Sequence, residues 1–85
     1  MDKVVEGAYH VTERWQRVVP AGSQVTDNGR TFAFEQEGTI QCDVLQFAGD
    51  SQKYLRFSLD PSVAIPIDTS FMYQILAAKG YTRIP

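Results

Sequence analysis

The sequence is poor in the residues from which most active centres are built. It has one cysteine, Cys42, and one histidine, His10, in 85 residues. A lone cysteine rules out an intrachain disulfide. A zinc site needs three or four Cys and His ligands, so a structural zinc would require several chains. The glycines Gly22, Gly29, Gly38 and Gly49 are isolated, so no glycine-rich phosphate loop exists. No dense Asp, Glu and Asn loop of the calcium or magnesium type occurs either. No cofactor or metal is expected. No apolar run approaches the ~20 residues that cross a bilayer as a helix. The start lacks the basic, apolar and small-residue order of a signal peptide, and a reducing, cytoplasmic setting is the expectation.

Charge is equally sparing. Eight Lys and Arg face ten Asp and Glu, for a net charge of −2. Nucleic-acid binders draw most of their affinity from phosphate neutralisation, so this balance weighs against DNA or RNA. No run of five like charges suggests a charged tail.

What remains is an ordinary globular composition, 44% hydrophobic and 21% charged. The length allows a single domain over residues 1–85. A chain this short buries only about two-thirds of its unfolded surface, and such domains often gain stability by self-association.

The segment 3–19 fits a helix with Val4, Val5, Ala8, Val11, Thr12, Trp15, Val18 and Val19 on one stripe. Asp2 would cap it and Pro20 would stop it. As a strand, Tyr9, Val11, Trp15 and Val19 alternate, but Glu13 and Arg17 fall on the same face. Asn28-Gly29 predicts a type I′ turn joining strands near 23–27 and 30–36. Residues 39–47 are rich in β-formers, and their apolar phase changes at Val44-Leu45. A bulge or burial on both faces would explain the change. Residues 53–59 place Leu55, Phe57 and Leu59 inward and Tyr54, Arg56 and Ser58 outward. Residues 60–67 read as an extended crossing segment with two prolines. Asp68-Thr69-Ser70 offers caps for a helix over about 69–79, striped by Phe71, Met72, Ile75, Leu76 and Lys79 and ended at Gly80. Residues 81–85 read as a tail or an added edge strand.

These elements predict an α+β domain: an N-terminal helix, an antiparallel meander of about four strands, and a C-terminal helix packed on one sheet face. If residues 3–19 are a strand, the alternative is a mostly β small barrel with one C-terminal helix.

The stretch 30–36, RTFAFEQ, matches part of an RNA-binding aromatic strand. Phe32 and Phe34 share one face, however, and the natural use of that face is core packing. Glu35 and Glu37 follow, and both would repel phosphate. A Cys42–His10 dyad would need the two within hydrogen-bond reach, whereas Cys42 falls on an apolar face between Ile40 and Val44. Paired carboxylates drawn from Glu35, Glu37 and Asp43 are explained as well by a solvated sheet face.

The distinctive feature is aromatic content, 12% of a small chain. Trp, Tyr and Arg are enriched at interface hot spots. The expected function is a non-catalytic protein-interaction domain, self-associating as a homo-oligomer or binding a larger protein. Its expected contact residues are Arg14, Trp15, Tyr54, Arg56, Tyr73 and Tyr81. One alternative is a small-molecule-binding or catalytic domain with an aromatic-lined pocket, using His10, Cys42 or Glu35. The other is a single-stranded nucleic-acid binder through Phe32 and Phe34 beside Arg30 and Arg56.

Overall fold

The computed structural model of the chain describes Met1–Pro85. Its elements run β1 (Lys3–Val4), β2 (Tyr9–Val19), β3 (Gln24–Asp27), β4 (Arg30–Ala33), β5 (Gly38–Phe47), β6 (Lys53–Phe57), β7 (Val63–Ile67), α1 (Thr69–Ala78) and β8 (Thr82–Ile84). Six strands make one antiparallel sheet in the order β1-β7-β6-β5-β2-β8, and β3 and β4 form a separate two-stranded hairpin. Strand accounts for 52% of the chain and helix for 12%. The fold is therefore mostly β with a single C-terminal helix, and the expected N-terminal helix is absent.

Residues 3–19 instead form β1, a turn with Gly7 at φ 77°, and the long strand β2. Val11, Thr12, Val18 and Val19 are β-branched and favour this outcome. The two residues that break the strand pattern, Glu13 and Arg17, are each accommodated on the covered face. Glu13 accepts hydrogen bonds from Trp15 Nε1 at 3.1 Å and Tyr73 Oη at 3.0 Å, and lies 3.7 Å from Arg83 Nε. Arg17 lays its stem across Gly80, where a Cβ would come within 3.4 Å of Nε.

The phase change in β5 has a specific cause. Ile40, Cys42 and Val44 face α1 and join Trp15, Val19, Val25, Leu55, Phe57, Met72, Leu76 and Tyr81 in the main core. Leu45 and Phe47 face the other side of the sheet, where they form a second cluster with Tyr54 and Ala64, flanked by Val5 and Val11. β5 itself alternates without interruption. What changes sides is the covering layer, from the helix to the N-terminal segment. The bulge lies opposite this changeover, on β2, where Val11 pairs with Leu45 and Glu13 with Val44, leaving Thr12 as the extra residue.

Asp68 caps α1 by accepting from Ser70 N at 2.9 Å. The helix ends in a Schellman turn: Gly80 N donates to Ala77 O, Tyr81 N donates to Leu76 O, and Gly80 takes φ 89°. Met72 and Leu76 are buried as the stripe predicts, but Phe71 is exposed. The Asn-Gly turn forms as expected, with φ 51° at Asn28 and 76° at Gly29. The hairpin covers the end of the main core with Val25 and is tied down at two carboxylates. Asp27, 1% exposed, accepts from Tyr81 Oη at 2.7 Å and from Lys79 Nζ at 3.4 Å. Asp60 accepts from Asn28 Nδ2 at 3.0 Å and lies 3.9 Å from Arg30 Nε.

Candidate functional site

The structure separates the six expected contact residues into two groups on opposite faces of the sheet. Trp15, Tyr73 and Tyr81 lie on the helix side. Trp15 is buried in the main core with its ring 5.6 Å from that of Tyr73, and Tyr81 is buried against Asp27. Burial, then the bond to Asp27, pushes the Tyr81 phenol up. The bond to Glu13 likewise raises Tyr73.

Arg14, Tyr54 and Arg56 belong to the other face. Tyr54 is buried in the second cluster and donates to Asp50 Oδ2 at 3.0 Å. Backbone donation from Gln52, and then this tyrosine bond, hold Asp50 below its ordinary range. Arg56 donates to Asp43 Oδ2 at 2.7 Å and to the Tyr9 hydroxyl at 3.1 Å. Arg14 is exposed and pairs in register with Asp43. No single surface gathers all six.

The candidate catalytic groups are dispersed as well. Cys42 is fully buried, and burial, reinforced by Asp43 and Asp27, pushes its thiol up to about 12. A thiol held in that form is a poor nucleophile. His10 pairs with Gln46, four residues along β5 from Cys42, which is about 13 Å at ~3.3 Å per residue. The two cannot act as a dyad. Glu35 and Glu37 are exposed in the bend between β4 and β5. Three open surface depressions exist, one with a mostly polar wall and two of mixed character that include Val11 and Ile84 or Phe47. One is lined by Asp50, Lys53 and Asp68, one by Glu13, Arg14 and Arg83, and one by His10, Gln46 and Asp50. None is enclosed by the aromatic side chains that the pocket reading requires.

The two phenylalanines of RTFAFEQ do not share one fate. The Phe34 ring is partly buried over Gly38, where a Cβ would stand 2.7 Å from its Cε2. Phe32 meets that ring edge-on at 4.8 Å but is 52% exposed, which corrects the expectation that both fill the core. Phe32 pairs in register with the buried Val25 but lies on the outer strand of the hairpin, and its ring stays at the rim. A nucleic-acid platform would need Arg56 beside these rings, and Arg56 is bound to Asp43 on the opposite face.

No family model, curated protein or solved structure matches the chain. No helix is long and apolar enough to cross a membrane.

The helix side carries the most accessible aromatic surface. Phe71 is 56% and Tyr73 49% exposed, on opposite flanks of α1, and Phe32 stands on the adjoining hairpin. Phe32 and Phe71 were not among the expected contact residues. Neither carries a sequence signal of exposure: Phe71 reads as part of the stripe with Met72, Ile75 and Leu76, and Phe32 as a core partner of Phe34.

Proposed function

We propose that the chain is a small non-catalytic protein-interaction domain whose contact surface is its helix side. The observation that carries this reading is the exposure of three aromatic residues on that side, Phe71 and Tyr73 on the two flanks of α1 and Phe32 on the hairpin, each residue about half open to solvent. Large exposed apolar surface of this kind marks binding faces more often than bare solvent-facing structure. Aromatics also supply contact area at small entropic cost, because few torsions are frozen. The buried, protonated Cys42 and the dispersal of His10, Glu35 and Glu37 add to the same reading.

The test is site-specific photo-crosslinking from positions 32, 71 and 73 in the intact chain. Crosslinks to a protein, whether a second copy or another chain, are expected from at least one position. Absence of protein crosslinks at all three, with the folded state verified by circular dichroism, would overturn the proposal.

A further inference from the structure

We infer that the partner at the hairpin end of this surface is a second copy of the chain, joined edge to edge through β4. The inference rests on the interaction-domain reading and names its occupant. Exposed strand edges are templates for pairing, and the six-stranded sheet blunts its own. β1 has two residues and β8 three, followed by Pro85. Where β7 extends past β1 it carries Pro66, and β2 passes β8 with the Thr12 bulge at one end and Arg17 laid across Gly80 at the other. The hairpin has no such protection. Asp27 draws β3 against the end of α1, and all of Arg30–Ala33 on β4 is exposed.

The register makes that edge self-complementary. Phe34 N donates to Ser23 O at 2.8 Å, Val25 pairs with Phe32, and Asp27 with Arg30. By strand alternation, the N–H and C=O groups of Thr31 and Ala33 point away from β3. A second β4 placed antiparallel, about a two-fold axis through Phe32, sets Thr31 of each copy opposite Ala33 of the other. Reciprocal N–H···O bonds form at both places. Phe32 then faces Phe32 in the close, non-hydrogen-bonded position, where aromatic pairs are favourable. Arg30 of each copy falls opposite Phe34 of the other, on the face that Phe32 occupies. Centring the axis on Ala33 would bring Gln36 into the ladder, and the chain bends at Glu35 and Gln36. The contact is far smaller than the ~1,200 Å² of stable complexes, so the dimer is weak and concentration-dependent.

Sedimentation equilibrium from roughly 10 µM to roughly 1 mM tests it. Wild type is expected to pass from monomer to dimer across that range. Phe32→Lys and Phe32→Glu should each weaken association at least about ten-fold, because like charges meet on the axis. An equal mixture of the two variants should associate again, as a heterodimer. Ala33→Pro, which removes an outward N–H and no hairpin bond, should also leave a folded monomer. A monomeric wild type over the whole range, charge variants that dimerise like wild type, or a mixture without rescue would each overturn β4 pairing. A monomeric wild type that still crosslinks to another protein from position 71 or 73 sinks this inference alone. Loss of all crosslinks sinks the interaction-domain reading as well.

Discussion

Tyr81→Phe removes one hydroxyl from the contact that holds the hairpin to the C-terminal end of α1. The Asp27 carboxylate, 1% exposed, then keeps only Lys79, at 3.4 Å. A hydrogen bond to a charged group contributes about 1.5–3 kcal/mol. Stripping a buried charge of its partner costs about 3–5 kcal/mol, a limit not reached while Lys79 remains. The expected loss is therefore about 2–3 kcal/mol, out of roughly 4–13 kcal/mol for a domain of 85 residues. At roughly 4–8 °C per kcal/mol, Tm should fall by roughly 10–20 °C. Urea unfolding can be followed through Trp15, the single tryptophan, which is buried beside Tyr73. Asp27→Asn and the double variant complete a cycle in which the coupling should be at least about 1 kcal/mol. A loss below about 0.5 kcal/mol, or additive single variants, would refute the assignment of Asp27 and Tyr81 as the hairpin's anchor.

Alkaline stability should report Cys42. Its thiol is raised to about 12 in the fold and ionises at about 8.5–9 when unfolded, so the folded chain retains a proton that the unfolded chain loses. The contribution is complete below about pH 8.5 and declines by up to ~1.4 kcal/mol per pH unit above about pH 9. Urea titrations of wild type and Cys42→Ala at rising pH should diverge accordingly; parallel curves would contradict it. Gly38→Ala drives a Cβ into the Phe34 ring and should cost about 1 kcal/mol, although alanine is otherwise the better strand residue. A stabilised Gly38→Ala would mean that the ring moves aside freely. Glu13→Ala strips the acceptor from Trp15 and Tyr73 and should cost about 1–2 kcal/mol, with a shift in Trp15 emission. Unchanged emission would show that Glu13 does not hold the indole.

The features legible in the sequence were those with local causes. Asn28-Gly29 demands positive φ at two adjacent residues, and Asp68 and Gly80 bracket α1 with groups that only a helix end requires. Residues 3–19 read as a helix in the sequence and fold as strands because the deciding partners are remote. Glu13 is acceptable on a buried strand face only because Tyr73, 60 residues away, and Arg83 reach it. The same remoteness blurred the candidate site. Trp15, Tyr54 and Tyr81 resemble contact residues by composition, yet each directs its polar tip to a carboxylate within the fold: Glu13, Asp50 and Asp27. The exposure of Phe32 depends on how the hairpin docks, with β3 drawn in through Asp27 and β4 left outside, which periodicity does not encode.

The change of cover along β5 has a dynamic consequence. Eleven buried residues share the helix-side core and four share the other, whose lid is held at the edge by the two-residue strand β1. Opening that lid requires little of the rest of the molecule. Amide hydrogen exchange along β5 should accordingly fall into two regimes. Ile40 to Val44 would exchange only through global unfolding, and Leu45 to Phe47 through fraying of the N-terminal segment. One continuous strand would thus belong to two cooperative units, with their boundary at the place where Thr12 bulges from its neighbour.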